Sequence, residues 1–466
     1  MTLMKSLLLG SAAGIVAVAS AQAADLPTKK GAPAAEYVKI CSITVNGKPV
    51  VGWTLPGSDT CFKLSGYVSA QIEGGNLKTG ASTNYLTGIQ TLSPTTARPD
   101  FGFSTRLNFT GDAVSNTAYG PLTAHFEIQV EEGSGFDVVN SPGYINTAYV
   151  TWAGITAGKA PSFYSFTGGG PGWANFFSPD EQGFNQPDLL AYTASFGGGF
   201  SVTGAIQQAQ SATNGIGGTG GAGFYNAGNF SGTQLPFPGT GANFSWNGVR
   251  WPDFVANIKL SQGWGTAQVS GVAHEVNVTS LLTGAQQDKW GWGIDAGVSF
   301  NLPQFGAGDD IMVTGSYTEN AAWYSGLPDA MWGEDGAVNG NGQAMALFDT
   351  YANPDGFGWA TPKAWSVQGE MDHHFSPQFS LSPLLGYGEV NWTGTDATSV
   401  VSNSTSWIAG VVGHWDPVTN LDFEIEVLYQ DSHTDQPNGY SAINSGHPWV
   451  SQGDGFATRF EITRSW

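Results

Sequence analysis

The segment 419–430 carries the pattern that most constrains this chain, because its apolar and charged residues alternate one by one. One parity holds Leu421, Phe423, Ile425, Val427 and Tyr429, and the other holds Asp422, Glu424 and Glu426. Successive side chains of a strand lie on opposite faces of a sheet, so the pattern predicts a β-strand with one apolar and one polar face. A slip of one residue would bury the carboxylates in apolar surroundings, at a cost of several kcal/mol.

Runs of the same kind recur along the chain. They are predicted at 62–73, 99–111, 119–131, 144–153, 154–161, 188–196, 199–208, 252–262, 264–276, 289–302, 309–321, 362–374, 377–392, 405–415, 419–430 and 454–466. After the N-terminus, no stretch has the roughly 18 continuous apolar residues of a spanning helix. Repeated strands with one apolar face cross a membrane only as a closed barrel. The sequence therefore predicts an all-β fold, a transmembrane antiparallel β-barrel of about 16 strands.

The connections between these runs alternate in length. Long ones are predicted at 74–98, 132–143, 162–187, 209–251, 277–288, 322–361, 393–404 and 431–453. Short ones include Gly197-Gly198 and Gln262-Gly263. Bacterial outer-membrane barrels have short turns on one side and long loops on the other, so this alternation supports the strand count.

Composition agrees with a large sheet. The chain has 466 residues with 66 Gly, 27 Phe, 17 Trp and 15 Tyr, and only 11% are charged. Long periodic runs typical of helices are missing, and no boundary is visible after about residue 62. Tryptophans stand near the predicted strand ends, where headgroups suit an amphipathic ring. They are Trp152, Trp264, Trp290, Trp292, Trp392, Trp415 and Trp466.

The N-terminus is typical of a secretory signal peptide over residues 1–23. Lys5 is followed by an apolar stretch and by Ala21-Gln22-Ala23, an A-x-A cleavage site. Residues 24–61 are then predicted as a periplasmic extension and 62–466 as the barrel. Cys41 and Cys61 are the only cysteines, and export to an oxidising compartment predicts one disulfide that staples this extension just outside the barrel.

The formal net charge is −21, which excludes nucleic acid as a partner. Acidic residues inside a pore would favour cations. The negative net charge is explained equally by a solvated surface that keeps the chain soluble during export. C-x₂-C spacing is absent, and His373 and His374, as neighbours on a strand, are predicted to point to opposite faces. No metal site and no cofactor are predicted.

Several segments resemble the alphaproteobacterial general porins typified by the major porins of Brucella and Rhizobium. They are Lys5 to Ala13, Glu36 to Cys41, Thr60 to Val68, Gly154 to Phe163, and the C-terminal Arg459-Phe460 with Thr463 to Trp466. Two features depart from the family. The last residue is Trp466 rather than Phe, and Arg464 stands on an outward parity.

The resemblance implies a homotrimeric outer-membrane porin that passes small hydrophilic solutes and ions by passive diffusion, with an inward-folded third loop. That loop corresponds to Ser162–Pro187. It brings the constriction acids Asp180 and Glu181, with Asp188 at its exit, towards the pore-wall bases Lys63, Arg106, Lys159, Lys259 and Arg459. A weak preference for cations is expected, although each of these charges is also explained as a solvated group away from the constriction. Phe460, Ile462 and Trp466 would form the signal for the barrel-assembly machinery, and outer-membrane lipid would surround the barrel.

Two other functions compete with a general porin. The first is a substrate-selective outer-membrane channel. Its fold would be the same as that of a general porin, because selectivity is set by the composition of the loops. A barrel enzyme of the lipase or protease type needs a nucleophile, a base and an orienting group in mutual reach. His125 and His274 are the only histidines placed well inside predicted strands, and neither has an evident Ser or Asp companion in the sequence. An enzyme is therefore not predicted.

Overall fold

In the computed structural model, the residues described are 39–75, 81–83, 90–92, 101–134, 143–167, 186–209, 244–246, 250–280, 284, 286–325, 349–352, 359–397, 399, 402–436, 438 and 452–466. Cys41–Trp466 form one compact unit. Across these ranges, no helix has the length and apolar character needed to cross a membrane. A short 3-10 helix, Ala322–Ser325, follows one of the strands.

Twenty-two strands lie in the described residues. They are β1 (Ile40–Val45), β2 (Lys48–Thr54), β3 (Cys61–Gly75), β4 (Ala81–Thr83), β5 (Gln90–Leu92), β6 (Phe101–Thr117), β7 (Gly120–Gly133), β8 (Tyr144–Trp152), β9 (Ile155–Lys159), β10 (Asp188–Gly197), β11 (Phe200–Gln207), β12 (Phe244–Trp246), β13 (Asp253–Gln262), β14 (Gly265–Ser280), β15 (Gln286–Asn301), β16 (Asp310–Glu319), β17 (Tyr351–Ala352), β18 (Trp359–Ser376), β19 (Phe379–Thr393), β20 (Ser404–Val418), β21 (Leu421–Thr434) and β22 (Gln452–Ser465).

Sixteen of these strands form a closed antiparallel barrel, as the sequence predicts. In the ring, β3 pairs directly with β6, and the order continues through β7, β8, β9, β10, β11, β13, β14, β15, β16, β18, β19, β20, β21 and β22. It closes where β22 pairs with β3, with Phe460 opposite Ile72. The other strands are accessory: β4 and β5 pair with each other, β12 adds to β14, and β17 adds to β18. Closure leaves no open edge among the ring strands, which a barrel in lipid requires.

The two faces of the strands follow the alternation in the sequence. Ile425 and Phe101 are 55% and 56% exposed on the outer face, whereas Glu424 and Glu426 are 4% and 1% exposed on the inner face. The register is therefore the one that keeps carboxylates out of the hydrocarbon. The predicted apolar face of β7 is also outside, since Leu122, Ile128 and Val130 are exposed.

Exposed tryptophans form two groups at opposite ends of the barrel. Trp152, Trp264, Trp415 and Trp466 lie near the short turns, and Trp290 and Trp292 lie at the start of β15, on the side of the long loops. These positions match the two headgroup regions of a bilayer. Trp392, which was expected in the same set, is buried and lies on the inner face of β19.

The extension before the barrel forms a hairpin that the sequence did not predict. β1 and β2 are joined by Asn46-Gly47, whose φ angles of 50° and 79° suit the left-handed positions of a tight hairpin turn. A disulfide links Cys41 to Cys61 with a Cα–Cα distance of 5.7 Å, confirming the predicted pair. Cys61 is the first residue of β3 rather than part of the extension.

The hairpin packs on the inner wall at the short-turn end, whereas the sequence predicts a position just outside the barrel. Ile43 is buried against Cys61 and Val114, with Val45 and Val50 beside them. Cys61 and Val114 share the inward parity of their strands with buried polar residues. Burial of these apolar side chains explains why the hairpin turns into the mouth of the barrel.

Candidate functional site

The inner wall of the barrel is polar and acidic. Its carboxylates alternate with the exposed apolar residues of the outer face. Among the described strands they are Glu73, Asp112, Glu127, Glu131, Asp253, Asp295, Asp310, Glu370, Asp372, Asp422, Glu424, Glu426 and Glu461. The lysines and arginines on the same face of the described strands are Lys63, Arg106, Lys259 and Arg459, with Lys289 on the same parity at the exposed end of β15. The wall therefore carries a clear excess of negative charge.

The predicted pore-wall bases differ in their surroundings. The Arg106 Nη2 lies 3.0 Å from Oε1 of Glu131. The Arg459 Nη1 lies 3.7 Å from Oε2 of Glu426, and both side chains are almost fully buried. Lys63 and Lys259 are half-buried on the inner face. These pairs cancel part of the positive charge that would otherwise attract anions.

Lys159 and Asp188 do not share that inner face. They are register partners on β9 and β10, and Asp188 has the parity of the exposed Leu190 and Tyr192. The Lys159 ammonium donates to the carbonyl oxygen of Ile145 at 3.0 Å. Both residues therefore belong to the outer face, because β9 and β10 alternate there without a bulge between them. Asp180 and Glu181 lie outside the described residues.

The third long connection turns into the barrel immediately after β9. The Asn257 Nδ2 donates to the Phe163 carbonyl at 2.7 Å, and the Gln268 Nε2 donates to the Ser165 carbonyl at 2.9 Å. The Ser270 hydroxyl donates to the Tyr164 carbonyl. All three donors lie on the inner faces of β13 and β14. The first residues of this loop are therefore held inside the barrel by side chains of the wall.

Tyr164 and Phe166 anchor the loop further along the wall. The Tyr164 hydroxyl donates to the carbonyl of Tyr324 at 3.0 Å and lies 3.0 Å from the Ser316 Oγ. The ring of Phe166 packs directly on Gly297, since a Cβ added there would lie 2.1 Å from its Cγ. Only glycine leaves room for this approach on the inner face of β15.

A buried polar cluster joins the wall to the sixth long connection. The His274 Nδ1 lies 2.7 Å from Asp253 Oδ1, and its Nε2 lies 3.4 Å from Asp349 Oδ2. The Tyr324 hydroxyl donates to the other oxygen of Asp253 and accepts from the Gln207 Nε2 at 2.9 Å. Burial, together with the Asp253 carboxylate, raises the pKa of Tyr324 well above its ordinary value, which keeps it neutral.

Sequence reasoning missed this cluster. His274 stood out as a strand histidine, but its carboxylate partners come from another strand and from a distant loop. Asp349 also accepts a hydrogen bond from the Ala322 backbone N–H at 2.7 Å, so the cluster fixes the short helix Ala322–Ser325 against the inner wall. The third and sixth long connections therefore meet inside the barrel.

His125 also has companions in the structure. Its Nδ1 lies 2.8 Å from Asp112 Oδ1, its Nε2 lies 3.0 Å from Thr147 Oγ1, and its ring stacks on Tyr149. This chain of carboxylate, imidazole and hydroxyl has the order of a nucleophile with its base. The hydroxyl belongs to Thr147, which is buried in the inner wall.

His373 and His374 meet at one carboxylate beside a turn. The His373 Nδ1 lies 2.6 Å from Asp309 Oδ2, and the backbone N–H of His374 donates to Asp309 Oδ1 at 2.8 Å. The His374 backbone N–H and the His373 imidazole together hold the pKa of Asp309 below its ordinary value. Asp309 therefore accepts from both residues as a carboxylate and fixes the turn before β16.

Open space remains next to the described start of the third loop. A cavity of about 830 Å³ lies between the tip of the N-terminal hairpin and the loop, and its lining includes Asn46, Tyr149, Phe163, Lys259 and Gln268. Several of these groups are polar and face inward. The described interior thus combines a polar wall, an inward loop and a cavity with room for small hydrophilic molecules.

Comparisons with known proteins agree with this architecture. The Porin_2 family, described as a porin subfamily, matches residues 25–451. Porin Omp2b of Brucella canis (strain ATCC 23365 / NCTC 10854 / RM-666) is 26% identical over 426 residues, which cover 88% of this chain and 98% of the relative. Porin Omp2b of Brucella abortus (strain 2308) gives the same identity and coverage, 26%, 88% and 98%.

A solved structure has the same fold. It is the outer membrane channel DcaP of Acinetobacter baumannii, with a TM-score of 0.57 and 15% sequence identity. The superposition covers 89% of this chain and 99% of that structure. At this level of identity the likeness concerns the barrel itself.

Proposed function

The chain belongs to the Porin_2 porin subfamily and forms a channel in the bacterial outer membrane, and we propose that this channel is a general diffusion pore with a weak preference for cations. The observation that carries the proposal is the acidic inner wall, where carboxylates outnumber the lysines and arginines of the described strands. A charged inner face in a channel with low-dielectric surroundings raises the local concentration of counter-ions. Small hydrophilic solutes pass through the remaining water-filled space by passive diffusion.

We place the constriction at the third long loop. The wall residues Asn257, Gln268 and Ser270 hold the first part of this loop inside the barrel. Its acids Asp180 and Glu181 would then face the half-buried Lys259 and the paired Arg106, giving a transverse field. Such a field orients polar solutes and disfavours apolar ones.

The pore is proposed to work as a homotrimer. Lys159 and Asp188 place two ionisable side chains on the outer face, where contact with lipid would be unfavourable. A neighbouring subunit that covers this part of the wall would remove them from lipid. Residues 1–23 are proposed as a cleaved export signal, and Phe460, Ile462 and Trp466 as the segment that the barrel-assembly machinery recognises. Phe460 and Ile462 are exposed on the outer face, which makes them accessible to such a partner.

A substrate-selective channel is the alternative. The cavity beside Phe163 and Tyr149 has aromatic groups next to polar ones, a combination that binds specific solutes in other proteins. Liposome swelling with a graded series of sugars separates the two functions. A rate that falls smoothly with solute size supports the general pore, whereas saturation by one solute with little passage of others of equal size supports the selective channel.

Enzymatic activity is not part of the proposal. Acyl transfer needs a nucleophile that a substrate can reach and donors that stabilise an oxyanion. The Thr147 hydroxyl in the chain with His125 and Asp112 is buried in the wall. We assign the hydrogen-bonded series of Asp112, His125 and Thr147 to structural support of β6, β7 and β8. The relatives named above are porins.

A further inference from the structure

One imidazole and two carboxylates converge on the inner wall close to the short turn between β20 and β21. His414 and Glu424 are register partners across these strands, and Asp422 lies two residues before Glu424 on the same face. The His414 Nδ1 is 3.0 Å from Asp422 Oδ2 and 3.8 Å from Glu424 Oε2. One donor atom from each residue lies within 4.8 Å of the others.

Glu424 has an unusual environment for a carboxylate. It is 4% exposed, and its Oε1 has no hydrogen-bond partner. The Oδ1 of Asp422 likewise has none. Glu461 is the register partner of Glu424 on β22, and Glu426 lies two residues further along the same inner face of β21. Buried carboxylate oxygens without donors are costly, and the other oxygen of each residue, Asp422 Oδ2 and Glu424 Oε2, lies beside the His414 imidazole.

We propose that His414, Asp422 and Glu424 bind a divalent transition-metal ion of the zinc type on the channel wall. Zinc bonds to His nitrogen and carboxylate oxygen are about 2.0–2.2 Å long, so the donor atoms of a tetrahedral site lie about 3.3–3.6 Å apart. The observed separations from the His414 nitrogen to the two carboxylates, 3.0 Å and 3.8 Å, bracket that range. The ion would occupy the position between the three side chains, replacing the contact between His414 and Asp422.

The chemistry of the donors favours zinc over calcium. Calcium takes six to eight oxygen ligands, whereas this cluster supplies one nitrogen and two carboxylates. Three protein ligands leave a fourth position for water, as in open zinc sites. His414 also lines a cavity of about 200 Å³ with His374, Asp372 and Ser382, which leaves room for water beside the imidazole. The acidic wall would concentrate the divalent ion near the site.

Titration of Zn²⁺ into the purified full-length oligomer in detergent, without a histidine tag, tests the proposal. Calorimetry should show one saturable site for each protomer. His414→Gln and Glu424→Gln should each weaken the binding by at least about tenfold, since even the loss of an outer-shell partner typically costs about 10- to 100-fold. Circular dichroism and heat-resistant migration on gels confirm that each variant is folded.

His125→Gln is the matched control, since His125 also faces the lumen and contacts one carboxylate, Asp112. It should leave zinc affinity unchanged. Asp422→Asn is the second variant if His414→Gln fails to fold. Equal zinc affinity in wild type and in the folded His414 or Asp422 variant would overturn the proposal, as would calcium binding equal to zinc binding at the same site.

Discussion

The hydroxyl of Tyr164 lies 3.0 Å from the Oγ of Ser316, so the start of the third long loop reaches β16 across the inner wall. Ser316 also donates to the carbonyl of Tyr324, which belongs to the sixth connection. The two inward connections are therefore coupled through one strand. Displacement of one connection should therefore destabilise the other, because a buried polar group that loses its hydrogen-bond partner is costly.

Gly297→Ala should displace the third loop. A Cβ at this position would overlap the Phe166 ring, and overpacking of this kind typically costs about 1–3 kcal/mol. The ring has to move away from the wall, so limited chymotrypsin cleavage within the loop should become at least about fivefold faster, as expected for the lower end of that cost. Gly271→Ala is the control, since the nearest atom to its Cβ is 3.7 Å away. Equal cleavage of the two variants would contradict the packing of Phe166 on the wall.

Removal of the disulfide should destabilise the N-terminal hairpin but leave conduction intact. Cys41 and Cys61 close a loop with a sequence separation of 20. Their bond should stabilise the hairpin by about 3 kcal/mol through loop entropy. Intact mass should increase by two hydrogens only after reduction. The Cys41→Ser, Cys61→Ser double variant should form channels of unchanged conductance, and closed channels in folded protein would show that the hairpin must be stapled to the wall.

Two adjacent glutamates on β7 test the acidic wall. Glu131 is buried on the inner face beside Arg106, whereas Glu132 is exposed on the outer face. Glu131→Gln removes an inward negative charge and leaves Arg106 less compensated, so the reversal potential in a salt gradient should move towards anions. Glu132→Gln should leave it unchanged, although the change in net charge is identical. Equal shifts in both variants would mean that total charge, rather than the lumen face, sets selectivity.

Low pH should weaken the turn before β16. The folded protein holds the pKa of Asp309 below its ordinary value, so this residue binds its proton more readily when unfolded. Its contribution is complete above the ordinary pKa of about 3.8 and is lost as pH falls through the lower folded value. The temperature of heat modification should therefore drop in this window. Asp309→Asn should lower the heat-modification temperature at neutral pH and make this temperature less dependent on pH. An unchanged pH profile would contradict the role of Asp309.

The strands of the barrel follow from local alternation, which is why their number was predictable. The boundaries moved by a few residues; the short strand expected at 154–161 is Ile155–Lys159, and the one expected at 419–430 is Leu421–Thr434. A lipid-facing strand carries its own signal in every second residue, so no knowledge of its partners is needed. The assignment of Glu424 and Glu426 to the inner face followed from the same rule.

The contacts inside the barrel were not predictable in this way. Asp253 and Tyr324 are separated by 71 residues in sequence, yet they are hydrogen-bonded. The hairpin of β1 and β2 was missed because its short strands pack on Cys61 and Val114 rather than alternating towards lipid. Lys159 and Asp188 were grouped with the pore by their nearness to the loop, whereas strand parity places them on the outer face.

Ion conduction by single oligomers in a planar bilayer tests the diffusion channel most directly. The protein should insert as steps of uniform conductance that rise in proportion to KCl concentration, as expected for a water-filled pore. In a KCl gradient the reversal potential should have the sign of a cation-preferring channel, because the inner wall is acidic. Absence of conductance steps, or a reversal potential of the opposite sign in the wild type, would contradict a cation-preferring diffusion pore.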